Sequence, residues 1–73
     1  MAIVRNIRKV NKSNQSNTIT TIDYAFCNNG LSLWTYASND INREGGTKQN
    51  LLFEISEVLE LKKIIEEYLK NRS

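Results

Sequence analysis

Two features of the sequence suggest catalysis at first sight, a lone cysteine and a glycine pair followed by a lysine. Cys27 is the only cysteine and the chain has no histidine, so the thiol lacks a histidine base and no zinc site of three or four Cys and His ligands can form. The stretch GGTK, residues 45–48, is similar to a phosphate-binding loop, but it lacks the G-x-x-x-x-G-K-[ST] spacing and precedes a predicted strand. We therefore predict a protein that is not an enzyme and needs neither metal nor cofactor.

An aromatic pair indicates binding instead. Trp34 and Tyr36 lie two residues apart on one predicted strand, so their side chains share a face of the sheet. Three explanations are open at this point: the rings pack beneath the N-terminal strand or the long loop, they form the seam of a homodimer, or they stack on nucleobases at ~1–3 kcal/mol per base. The acid Asp23, predicted to lie beside Tyr36, weighs against the third.

Basic residues meet the second requirement of nucleic-acid binding, which is positive charge along the phosphate backbone. The net charge of +2 is too small to argue for nucleic acid by itself, but residues 1–22 contain no acid. Ordinary solvated surface is the simpler explanation of that skew. Together with Trp34 and Tyr36, the residues nominated for contact with nucleic acid or another partner are Arg43, Lys48, Arg5, Arg8 and Lys9.

The chain, residues 1–73, is expected to form a single domain in which strands precede a helix. Asn29-Gly30 separates two apolar runs and has the residue types of a type I′ hairpin turn. The patterns predict strands over about residues 2–10, 17–27, 31–37 and 50–55, and a helix over about 57–71 with Ser56 as its N-cap. The predicted class is α+β, an antiparallel sheet of three or four strands followed by one C-terminal amphipathic helix packed on one face.

The predicted hairpin also assigns side chains to faces. With Asn29-Gly30 as the loop, Phe26 lies opposite Leu33 and Ala25 lies opposite Trp34. The face with Phe26 is the more apolar, so we expect it to meet the helix. One helix covers only one face, which leaves the face with Trp34 for solvent, a second subunit or a ligand. The long loop 38–49 is expected to be mobile, functional, or both.

Size and composition bear on partners and location. The core of so small a domain supplies only ~3–5 kcal/mol, and since disulfides and zinc are excluded, self-association as a homodimer is expected. No apolar run of ~18 residues occurs and arginines interrupt the first ten positions, so we expect no membrane contact and a cytoplasmic location. Abundant Asn, Lys and Ile with no proline indicates AT-rich coding DNA, as in low-GC bacteria and their phages.

A short series of features ends the chain: Thr47-Lys48, an apolar strand at Leu51–Phe53, a helix start at Ser56-Glu57, then Leu61-Lys62 and Ile65. This series resembles the C-terminal half of the transcriptional-coactivator family that binds single-stranded DNA with a Whirly-like fold. The resemblance covers roughly residues 31–69. It implies strands before one long helix, dimerisation through the helix, and DNA contact by the sheet at Trp34, Tyr36, Arg43 and Lys48.

The sequence leaves two functions open. One is a non-catalytic module that binds single-stranded nucleic acid through a basic aromatic sheet face. The alternative is a small protein, encoded by a phage or mobile element, that binds or inhibits a host protein. The small size, the near-neutral charge and the lack of catalytic motifs suit this second function.

Overall fold

The computed structural model describes residues 1–12 and 16–72, and in them four strands are followed by one helix. The elements are β1 (Ala2–Ile3), β2 (Ile22–Cys27), β3 (Gly30–Tyr36), β4 (Thr47–Glu54) and α1 (Ile55–Arg72). The strand order is β1-β4-β3-β2, so β2 forms one edge of the sheet. The predicted α+β class with a C-terminal helix is confirmed. The sheet is mixed, however, because β1 runs parallel to β4 while the other two pairs are antiparallel.

The N-terminal strand is much shorter than the sequence predicts. β1 lies opposite Leu51–Leu52, and the Val4 N–H extends the pairing with a 2.8 Å hydrogen bond to a β4 carbonyl. Beyond this point the predicted strand over residues 2–10 is wrong. Arg5 interrupts the apolar run there, and its guanidinium pairs with the carboxylate of Glu54. This ion pair at the end of the strand favours an end to the β1–β4 hydrogen bonding over its continuation.

The hairpin turn comes one residue earlier than predicted. Cys27 lies opposite Gly30, so the loop is Asn28-Asn29, and neither asparagine has the positive φ of a type I′ turn. Phe26 therefore pairs with Leu31 instead of Leu33. The partner has moved by two positions, and side chains alternate with period two, so the assignment of residues to faces is unchanged.

Gly30 gives the physical reason for the shifted turn. It lies within β3 opposite Glu54, and a Cβ built on it would lie 2.0 Å from the carbonyl oxygen of Phe53. Only glycine permits β4 to approach this closely. Gly30 therefore belongs to β3, and the two asparagines before it form the turn.

The other boundaries also differ from the predicted ones. β2 begins at Ile22 rather than near residue 17, although the residues before it stay close to β3: the Thr20 hydroxyl donates to the carbonyl of Tyr36 at 2.8 Å. β4 begins at Thr47 rather than near residue 50, which shortens the predicted loop. The helix starts directly after β4, so Ser56 lies inside its first turn and the predicted N-cap is wrong.

The core is small. Leu52 and Phe53, 6% and 9% exposed, are the buried apolar residues of the described chain, and they point to opposite faces of β4. Leu31, Val58 and Ile65 border one cleft, so α1 packs on the face that carries Leu31 and Phe53. The helix contacts β4 and β3 but not β2. Within the described residues, no helix is both long enough and apolar enough to cross a membrane.

Candidate interaction site

The two faces of the sheet carry different side chains. On β2 and β3 the helix-side face consists of Ile22, Tyr24, Phe26, Leu31, Leu33 and Thr35. The opposite face consists of Asp23, Ala25, Cys27, Ser32, Trp34 and Tyr36. The aromatic pair nominated from the sequence therefore lies on the face away from the helix, as the alternation predicts.

On this opposite face, Tyr36 and Arg43 are both bound to Asp23. The Tyr36 hydroxyl donates to Asp23 Oδ2 at 2.7 Å, while Arg43 donates from Nε to Oδ2 at 2.9 Å and from Nη2 to Oδ1 at 2.6 Å. The guanidinium also lies 5.6 Å from the centroid of the Tyr36 ring. This arrangement is a two-pronged Arg–carboxylate pair with a cation–π contact, which fixes all three side chains.

The electrostatics of this cluster follow from its hydrogen bonds. The hydrogen bonds from Arg43, and next the one from Tyr36, stabilise the ionised carboxylate and lower the pKa of Asp23 to about 2. The same carboxylate raises the pKa of Tyr36, because it accepts the phenolic proton in a hydrogen bond. The charge of Arg43 is therefore balanced within the chain, and a phosphate would have to displace Asp23 to reach it.

The segment that delivers Arg43 is ordered by Asp40. Its carboxylate accepts the N–H groups of Glu44 at 2.9 Å and Gly45 at 3.0 Å. Asn39 and Arg43 both adopt left-handed backbone conformations, with φ of 67° and 61°. Asn39 suits such a φ, whereas for arginine it is uncommon. The network around Asp40 and Asp23 holds that conformation in place.

The remaining nominated residues do not form one basic surface. Arg5 pairs with Glu54 and lies 3.7 Å from Glu57, at the end of β4 opposite the Tyr36 end. β4 is eight residues long, so its two ends are roughly 23 Å apart. Lys48 is exposed near the Tyr36 end of that strand.

Two further basic residues lie outside the sheet. Arg8 is exposed after β1, and Lys9 borders a cleft beside Ile64 and Tyr68 on the second half of the helix. Trp34 is half-buried between its cross-strand neighbours and does not form an open stacking platform. The sequence thus brings Tyr36 and Arg43 together, with Lys48 near them, but not the other basic residues.

The residues that sequence reasoning missed lie on the helix side of β2. Tyr24 is 66% exposed and Phe26 83% exposed, and their ring centroids are 5.6 Å apart. With Ile22, also exposed, they form what we call the β2 surface. They were expected to be covered by the helix. A helix is only ~10 Å wide and strands are ~4.8 Å apart, so one helix covers about two strands, here β4 and β3, and β2 is left open.

The outer edge of β2 is also uncovered in the described residues. β2 pairs only with β3, so alternate residues of Ile22–Cys27 present backbone N–H and C=O groups to solvent. Proteins commonly protect such edges with lysine, proline or an unpaired charge. Here the strand has no lysine or proline, and its single charge, Asp23, is paired with Arg43.

The chain exposes more surface than a folded monomer of its mass. Its accessible area is 6398 Å², against about 4,600 Å² expected for a protein of 8.4 kDa. Its radius of gyration is 14.0 Å, against about 11 Å expected for 73 residues. The excess of about 1,800 Å² indicates a molecule whose apolar area is only partly covered by its own chain.

Comparisons with protein-family models, curated proteins and solved structures gave no significant match. Among residues 1–12 and 16–72, no group of three or more His, Cys, Asp or Glu side chains is placed to hold a metal ion. The candidate site is therefore defined by the geometry of this chain alone, and it is the β2 surface with its free edge.

Proposed function

We propose that this protein is a non-catalytic binding module that acts by binding protein through the β2 surface. The observation that carries the proposal is the exposure of Tyr24 and Phe26 beside an unpaired strand edge. Exposed aromatic rings with little charge around them are typical of the centre of a protein interface. A free edge adds backbone hydrogen bonds to that apolar contact.

Single-stranded nucleic acid is the weaker candidate partner. Binding of that kind needs open rings with free positive charge beside them. Tyr36 and Arg43 are engaged with Asp23, and Trp34 is half-buried. The nucleic-acid function would therefore depend on Lys48 and on displacement of Arg43 from its carboxylate. These requirements make protein the better supported partner.

Photo-crosslinking in the native host cell tests the proposal. A photoreactive phenylalanine analogue replaces Phe26 in one variant and Glu60, exposed on the helix, in the control. We expect irradiation to give a discrete protein adduct from position 26 and none from position 60. The adduct should also be lost when Tyr24→Lys is added to the position 26 variant, with circular dichroism showing that the variant is folded.

A titration with oligo(dT) in low salt tests the other candidate, with Trp34 fluorescence as the signal. We expect no saturable change at tens of micromolar. Saturable binding that weakens in Lys48→Ala and in higher salt, combined with no protein adduct from position 26, would overturn protein binding and favour nucleic acid.

A further inference from the structure

We infer that the partner of the β2 surface is a second copy of this chain, joined by antiparallel pairing of the two β2 strands into one eight-stranded sheet. This inference rests on the proposed protein-binding function and names its partner. Edge-to-edge pairing about a two-fold axis is self-complementary, because the same strand supplies both halves of the ladder. The edge of β2 offers six residues for it, Ile22–Cys27, with no side chain that opposes pairing.

The side chains select a register for this pairing. If Tyr24 lies opposite Tyr24 of the second copy, each Phe26 lies opposite Ile22, and six apolar side chains form one cluster on the helix side. Sliding the strands so that Tyr24 faces Phe26 would place Ile22 opposite the polar Asn28. Sliding them the other way would place Asp23 opposite its own copy, and like charges opposite each other are destabilising.

The opposite face is compatible with the same register. Each Asp23 then lies opposite Ala25, a small side chain that leaves room for the cluster with Arg43 and Tyr36. Because Arg43 already balances the carboxylate, the interface acquires no unpaired charge. Asp23 is the only charged residue of β2, and its hydrogen bonds compensate its charge before the interface buries it.

The exposed area agrees with a dimer of this kind. An excess of about 1,800 Å² per chain would give at most about 3,600 Å² when two copies join. Stable homodimer interfaces bury about 2,000–5,000 Å² in total. Ile22, Tyr24 and Phe26, which are 54%, 66% and 83% exposed, supply the apolar part of this interface.

The first test is the mass in solution, measured by light scattering on the full chain. We expect twice 8.4 kDa at micromolar concentration. Phe26→Lys should raise the dimer Kd at least about a hundredfold, since each dimer loses two buried rings. Ile41→Lys is the control, because Ile41 is an exposed apolar residue outside the sheet, and it should leave the Kd unchanged. A native chain that stays at 8.4 kDa up to hundreds of micromolar would overturn the inference.

The second test fixes the register by disulfide trapping in a Cys27→Ser background. In the proposed register the two Tyr24 Cα atoms lie ~5.5 Å apart, within the range of a disulfide, so Tyr24→Cys should form a covalent dimer on mild oxidation. Ile22→Cys is the matched control, since its two copies lie ~14 Å apart and should not link. Linking through position 22 with none through 24 would refute this pairing.

The two proposals fail in different ways. A monomer in solution, combined with an adduct at position 26 to a protein of another mass, would remove self-pairing and leave protein binding in place. A monomer with no adduct at position 26 would remove both.

Discussion

Substitutions of Phe53 and Phe26 test whether different residues determine the stability of each chain and its assembly with a second copy. Phe53 is 9% exposed and Phe26 is 83% exposed. Truncating a buried phenylalanine to alanine costs about 3–5 kcal/mol, whereas a ring that buries only about a sixth of its area contributes roughly 0.5 kcal/mol within one chain. A domain of this length has about 4–11 kcal/mol in total. Phe53→Ala would therefore remove a large share of the total stability, and Phe53→Leu, at about 1 kcal/mol, is the usable variant.

Urea unfolding followed by circular dichroism is the assay, at chain concentrations from about 1 µM to about 100 µM. Phe53→Leu should lower the midpoint at every concentration by a similar amount, because it weakens the core of each chain. Phe26→Ala should lower the midpoint by an amount that grows with the chain concentration, because it removes stabilisation that depends on association. A loss in Phe26→Ala as large as that in Phe53→Leu, and independent of concentration, would refute the assignment of core and interface.

Two further predictions concern the Asp23 cluster and the close approach of β3 to β4. The pKa of Asp23 is lowered to about 2, so the ionised carboxylate stabilises the fold fully above the ordinary pKa of 3.8, and this stabilisation is lost as the pH falls from there towards 2. Melting temperatures measured from pH 5 to pH 2 should therefore fall less in Asp23→Asn than in the native chain. Parallel curves for the two proteins would contradict this. Gly30→Ala would place a Cβ 2.0 Å from the Phe53 carbonyl oxygen and should cost about 2 kcal/mol or more in chemical denaturation, whereas a cost near zero would mean that the strands can separate without penalty.

Local patterns were sufficient for the helix and for most of the hairpin. The alternation in β2 and β3 correctly assigned their side chains to faces, and the amphipathic run correctly predicted one long C-terminal helix. The turn was missed because Gly30 serves a contact with Phe53, which is distant in sequence. A dipeptide that suits a turn cannot show that a neighbouring strand needs the same glycine.

The candidate site was predicted less well, for two physical reasons. The pairing of Arg43 with Asp23 joins residues 20 positions apart, and no local pattern distinguishes such an arginine from one that is free to bind phosphate. The exposure of Tyr24 and Phe26 depends on how many strands the helix covers. Apolar alternation indicates that a face is apolar, but the width of the covering element decides which strands of that face become core.

The parallel pairing of β1 with β4 has a consequence for how the chain folds during synthesis. The β2–β3 hairpin joins neighbouring residues and can form as soon as both strands are made. β1 must wait for β4, about 50 residues later, so its pairing closes a long loop and adds contacts of high sequence separation. The cost of that loop grows only with the logarithm of its length, so insertions between β1 and β2 should slow this step slightly. Until Leu51–Leu52 is available, a newly synthesised chain has a β2–β3 hairpin with two free edges.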